Sequence, residues 1–143
     1  MSDINIGAIT EALNDKTDRD MRNVDNTAGA DAVIEYQMPT VENNYTWYRK
    51  YKSGWVEQGG IWTGTLSATN GNDATSTQNL PITMADTNYC VNITNNGGTA
   101  SPTVWEMWCV QALTISSFVI HMGAYANTRT IKRMNWEVKG MAA

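Results

Sequence analysis

Residues 45–60 read YTWYRKYKSGWVEQGG. Aromatic and apolar positions alternate with polar ones on either side of Lys52-Ser53-Gly54, and a short polar turn with glycine between two such runs is the signature of a β-hairpin. Tyr45–Tyr51 and Trp55–Gln58 are the two arms, and Gly59-Gly60 reads as the turn that ends the second. Period-two alternation puts successive side chains on opposite faces, and aromatic side chains close to the hairpin's loop end are the expected contacts for a partner.

Working outward, the same pattern recurs. Ala32–Met38 precedes the hairpin and ends at Pro39; Ile61–Ser67, Leu80–Thr83, Tyr89–Thr94, Val104–Leu113, Ser117–Tyr125 and Met134–Met141 follow it. Ala68–Gln78 (ATNGNDATSTQ) shows no apolar period and reads as an exposed, mobile loop, and Asn95-Asn96-Gly97-Gly98 reads as a turn. In the Tyr89 strand, Tyr89, Val91 and Ile93 share one face and Cys90, Asn92 and Thr94 the other. Phe118, Ile120 and Met122 oppose Val119, His121, Gly123 and Tyr125. Nothing between these strands reads as a crossover helix, so the expectation is a mainly β fold, an antiparallel sandwich over residues 32–143. Several strands are apolar on both faces, which suits one face against the core and one against a neighbouring subunit.

The N-terminal residues 1–26 follow a different rule. Ser2 or Asp3 caps a helical pattern in which Ile6, Ile9 and Leu13 recur at spacings of three and four, while the next positions in register, Lys16, Asp20 and Asn23, are polar. This short stripe is expected to form a helical stalk segment that packs either on another copy of the chain or on its own domain. Residues 26–31 (NTAGAD) break the pattern and mark the boundary to the β region.

Composition excludes several functions. A net charge of −4 and only 10 Lys+Arg in 143 residues supply no basic field for a phosphate backbone, so no nucleic-acid partner is expected. No run approaches the ~18–20 apolar residues of a membrane helix, and the first ten residues, MSDINIGAIT, lack the features of an export signal. Cys90 and Cys109 match no metal-binding spacing and are expected as free, buried thiols. His121 is the single histidine, no nucleophile motif accompanies it in sequence, and a structural role is expected for it; no catalytic residue, metal or cofactor is assigned. Glu35, Glu42, Glu57, Glu106 and Glu137 are the acids in or beside strands that glycoside hydrolysis would need in pairs, but isolated strand glutamates ordinarily face solvent. Six Trp and six Tyr against one Phe favour interfaces and sugar-binding surfaces over a dry core.

The run from Ala12 to Gly60, with its W-Y-x-x-Y-x-x-G-W-x-x-Q-G-G core, followed by ITMADTNYCVNIT and ending in MNWEVKGMAA, resembles the C-terminal tips of bacteriophage and prophage tail fibres. The resemblance implies a parallel homotrimer continuing the remainder of a tail fibre, made in a bacterial cytoplasm and carried on the virion. It implies attachment to a host-cell surface glycan or outer-membrane protein. Under that reading the aromatic side chains Tyr45, Trp47, Tyr48, Tyr51, Trp55 and Trp62 are the expected receptor contacts, and Ile6, Ile9 and Leu13 the trimer stalk. A purely structural trimer cap and a free carbohydrate-binding module are the alternatives.

Overall fold

In a computed structural model the described residues are 31–69, 71–98, 106–125 and 128–143. The helical stalk expected over residues 1–26, with Ile6, Ile9 and Leu13, lies outside them. Among the described residues there are eight strands and no helix: β1 Val33–Gln37, β2 Trp47–Tyr51, β3 Trp55–Ala68, β4 Asp73–Asn79, β5 Cys90–Gly98, β6 Glu106–Gln111, β7 Ser117–Ala124 and β8 Arg129–Met141. They form a five-stranded sheet in the order β1-β2-β3-β8-β5 and a three-stranded sheet in the order β4-β7-β6. Every pairing is antiparallel.

The two sheets face each other across one core in a sandwich-like arrangement. Val56 and Trp62 of β3, Met134, Trp136 and Val138 of β8, and Phe118, Ile120 and Met122 of β7 meet there. The Phe118 and Trp136 rings sit edge to face across the layers, with centroids 6.0 Å apart, a geometry favoured by the ring quadrupoles. Strand β7 shows why the sequence folds this way. Its even positions are buried and its odd positions half-buried along the whole strand, so a one-residue slip would turn Phe118 and Ile120 out of the core. The faces expected for β5 and β7 are the faces observed.

Five expectations need correction. Gly59 and Gly60 do not end a strand; β3 runs continuously through them to Ala68. They read as a turn because glycine usually punctuates structure, but here it admits a close neighbour. A Cβ on Gly59 would lie 2.8 Å from the Trp136 carbonyl oxygen and 2.9 Å from the Trp47 ring. The supposed mobile loop over Ala68–Gln78 contains β4, in register with β7 from Asp73↔Gly123 to Asn79↔Ser117. Its small and polar residues hide a true alternation, with Ala74, Ser76 and Gln78 half-buried and their neighbours exposed, and the Trp62 indole N–H donates to Ser76 Oγ at 3.0 Å. Residues 95–98, read as a turn, belong to β5, which bulges there against β8. Cys90 and Cys109 are free but exposed, because both lie on the outward face of their strands.

Leu80–Thr83 is not a strand either, and a buried side chain supplies the pairing it lacks. Gln58 is fully buried in β3. Its Oε1 accepts from the Ile82 backbone N–H at 2.9 Å, and its Nε2 donates to the Ile82 carbonyl at 3.0 Å. The amide thus satisfies both backbone groups of Ile82 as a neighbouring strand would. Farther along the same segment the Tyr89 phenol donates toward the carbonyls of Thr114 and Ser117, at 2.8 and 2.9 Å.

Replacing Gln58 with Met keeps the volume and removes both bonds; urea unfolding is expected to show a loss of about 1–3 kcal/mol, the cost of stranding buried polar groups. Gly59→Ala drives a methyl into a backbone oxygen that has no room to retreat, and a loss of about 1–3 kcal/mol is expected, against less than about 0.5 kcal/mol for Gly123→Ala, whose added Cβ meets only Asp73 Oδ1 at 3.5 Å.

Candidate functional site

The site begins in the connection between β1 and β2. Residues 38–46 fold back on themselves through a dense set of hydrogen bonds: Tyr45 N–H to the Thr40 carbonyl at 2.7 Å and Thr46 N–H to the Asn43 carbonyl at 3.0 Å. The Asn43 side chain accepts from Thr40 N–H at 2.9 Å and donates to the Met38 carbonyl at 3.0 Å. The Ile61 N–H then fastens the loop to β3 through the Asn44 carbonyl at 3.2 Å. This lattice holds Asn44 and Tyr45 at φ of 54° and 55°, a left-handed conformation that is uncommon outside glycine and asparagine and that a bulky tyrosine adopts only under constraint.

The constraint aims Tyr45 at the outer face of the five-stranded sheet. The Arg133 guanidinium carbon lies 6.0 Å from its ring centroid, within the range of a cation–π contact. Beside them Trp47 lies against Gly59, its cross-strand partner, so that the indole rests close to the sheet. Pro39, Tyr45, Trp47, Ile61, Arg133 and Asn135 border an open groove of about 480 Å³. A second concavity of about 390 Å³, between Gln37, Met38 and Arg49, adjoins it across Pro39 and Trp47. Indole and phenol rings flanked by guanidinium and amide groups offer a stacking surface with hydrogen-bond donors at its rim, the combination that suits a polyol.

The six aromatic residues read from the sequence do not form one patch. Tyr45 and Trp47 share the groove. Tyr51 and Trp55 stand farther along the outer face, with the Tyr51 hydroxyl donating to Glu57 Oε2 at 3.3 Å. Tyr48 points to the opposite face of the sheet, beyond the cover of the three-stranded layer, and donates to Glu35 Oε1 at 2.9 Å. Trp62 is a core residue, 7% exposed, and contributes to no surface. Arg133 and Asn135 are missing from the sequence reading because β8 meets β3 some seventy residues away in the chain, and their alternation with buried Met134 and Trp136 shows only that they face outward; Pro39 and Ile61 enter it only as bounds of strands.

A row of charge flanks the aromatic area: Lys139 Nζ lies 3.1 Å from Glu137 and 4.0 Å from Glu57, and the Glu137 carboxylate, by hydrogen bond and charge, raises the lysine above its usual pKa. The Tyr48 phenol is raised above its ordinary value mainly because its proton is held by Glu35. A group whose pKa is higher in the folded chain favours folding below its unfolded value and loses that contribution as pH rises through the folded one. Burial raises the Tyr89 phenol as well, so spectrophotometric titration of tyrosines is expected to show two late-ionising phenols, of which Glu35→Gln moves one, Tyr48, back toward the others, with stability falling less steeply in the alkaline range in that variant.

No family model and no curated protein sequence matches the chain. Its structural neighbours are pyocin tail fibre chains. The structure of an N-truncated R1-type pyocin tail fibre superimposes with a TM-score of 0.52 at 12% sequence identity, covering 97% of this chain and 98% of that one. An N-truncated R2-type pyocin tail fibre gives a TM-score of 0.48 at 17% identity, over 76% of this chain and 39% of that one. The C-terminal region of the R2 pyocin fibre of P. aeruginosa gives the same score and identity over 26% of its length. The chain therefore shares the fold of the R1-type pyocin fibre fragment.

Proposed function

We propose that this chain is the tip of a phage-type tail fibre that attaches the particle to a bacterial surface, without catalysis and as a homotrimer, joined to the remainder of the fibre. The observation that carries the reading is the fold held in common with the R1-type pyocin tail fibre fragment across almost all of both chains. The groove adds the chemistry. Trp47 supplies an apolar platform for the face of a sugar ring, Tyr45 a second ring held in place by its loop, and Arg133 and Asn135 the donors for hydroxyl or carboxyl substituents. A host-surface glycan is the ligand these groups suit. Because the loop is ordered by its own hydrogen bonds, little conformational entropy is lost when the ligand arrives. Three copies on one fibre would let a weak site hold a cell.

Light scattering of the purified chain is expected to give three times 15.8 kDa, and a monomer would remove the trimer from the reading. Binding to an array of bacterial surface polysaccharides is expected to identify a ligand whose affinity falls at least about tenfold in Trp47→Ala, as for an aromatic anchor in an interface. Trp55→Ala is expected to change it little. Retention of full binding by the Trp47 variant would take the groove out of the attachment surface.

A further inference from the structure

The outer face of the other sheet carries a cluster that plays no part in the groove. Strands β6 and β7 pair Cys109 with His121, and β4 and β7 pair Asp73 with Gly123, one step along the same face. His121 Nε2 lies 3.0 Å from Asp73 Oδ2. On the other side of the ring, Nδ1 lies 3.6 Å from Cys109 Sγ and 3.0 Å from the Gln111 amide nitrogen. In one tautomer Nε2–H donates to the carboxylate and the single Nδ1 lone pair is left as acceptor, shared between the Gln111 amide N–H at 3.0 Å and the thiol at 3.6 Å. The thiol therefore faces a basic nitrogen whose ring is held from behind by an acid. A thiol, an imidazole and an orienting carboxylate in line are the parts of an activated nucleophile.

Next to the cluster is a concavity of about 280 Å³ lined by Asp73, Met107, Gly123, Ala124 and Tyr125. It is mainly apolar, with Met107 and Tyr125 75% and 72% exposed, and it is large enough for a single ring. Cys109 itself is exposed. The strand register thus places a thiol, its base and an apolar seat side by side on a surface open to small molecules.

We propose that Cys109 is a thiol-modification site that exchanges with low-molecular-weight disulfides carrying an apolar or aromatic group, with His121 as its base and Asp73 as the positioning residue. The proton of Cys109 Sγ passes to His121 Nδ1 as the sulfur attacks one sulfur of the disulfide. A new S–S bond forms at Cys109 while the old one breaks, and the departing thiolate recovers the proton from the imidazolium. Cys109 is oxidised to the mixed disulfide and the departing sulfur is reduced to a thiol. The Gln111 amide, 3.8 Å from Sγ, is placed to turn its N–H from the ring nitrogen to the thiolate as the proton crosses. This inference does not rest on the attachment reading.

Cys90 supplies the internal comparison. It is also free and exposed, and it stands opposite Lys139 in the β5–β8 pair, so it has a cationic neighbour but no imidazole, His121 being the only histidine. The test is the rate of reaction of dipyridyl disulfide with the full chain carrying Cys90→Ser, which leaves Cys109, against Cys109→Ser, which leaves Cys90. Cys109 is expected to react at least about tenfold faster. His121→Asn should bring it down to the rate of Cys90, and Asp73→Asn should slow it by a smaller factor, both without changing the Cys90 rate. The advantage of Cys109 should shrink with hydroxyethyl disulfide, which has no ring for the apolar seat, and disappear in denaturant. Equal rates for the two thiols in the folded chain, or a Cys109 rate unmoved by His121→Asn, would overturn the proposal.

Discussion

Two adjacent glycines in the middle of β3 set the terms for the rest of the molecule. Gly59 and Gly60 face opposite sides of the five-stranded sheet, and each leaves room for an indole: Trp47 against Gly59 on the outside, Trp136 against Gly60 on the inside. Strand interiors ordinarily lose stability at glycine, and a large ring laid over the bare backbone restores the burial that the missing side chain would have provided. The inner ring reaches Phe118 of the opposite sheet and so couples the two layers. The outer ring is the floor of the groove. One dipeptide therefore serves both the core and the candidate binding surface, and the long β3–β8 ladder, with its partners β2 and β5 on either side, is the frame that keeps the two indoles in place.

Much of this was legible in the sequence, and the boundary of what was legible has a physical cause. Where apolar residues alternate with polar ones, as in β5 and β7, the strand and its faces follow from the sequence because burial depends on side-chain chemistry alone. Where inward positions are filled by Ala74, Ser76 and Gln78, the alternation of β4 is present in space and invisible in hydropathy, because Ser76 is held in place by an indole N–H and the strand by its partner β7. Glycine misled in the same way at Gly59 and Gly60, and again at residues 95–98: a residue without a side chain reports that something comes close, but not whether a turn or a ring is the neighbour. Leu80–Thr83 carried the apolar content of a strand, but its backbone is satisfied by the amide of Gln58, a partner no local pattern reveals.

The same reasoning explains why the site was only half visible. Tyr45 and Trp47 stood out as aromatic residues near a loop end. Arg133 and Asn135 join them through the register of β3 with β8, in which Ile61 pairs with Asn135 and Thr63 with Arg133. His121 was read as structural because no nucleophile lay near it along the chain. Cys109 comes beside it by an antiparallel pairing twelve residues apart, and Asp73 by a strand that the sequence hid altogether. Antiparallel register brings distant residues together in pairs, so in a β fold functional constellations lie across strands more often than along them.

A two-layer sandwich has two outer faces, and here they differ in kind. The face of the five-stranded sheet carries rings, arginines and a carboxylate–lysine row, with a loop whose strained tyrosine is held by a lattice of backbone bonds. The face of the three-stranded sheet carries threonines, a methionine, a thiol and an imidazole. The core between them leaves no direct path from one to the other, so chemistry at Cys109 would reach the groove only by shifting β7 against Trp136. Phe118 makes that shift expensive: it is fully buried and locked edge to face on the indole, and close-packed interiors resist displacement of a ring that size. The groove and the Cys109 cluster thus stand on opposite outer faces, with the close-packed layer of Phe118, Trp136 and their neighbours between them.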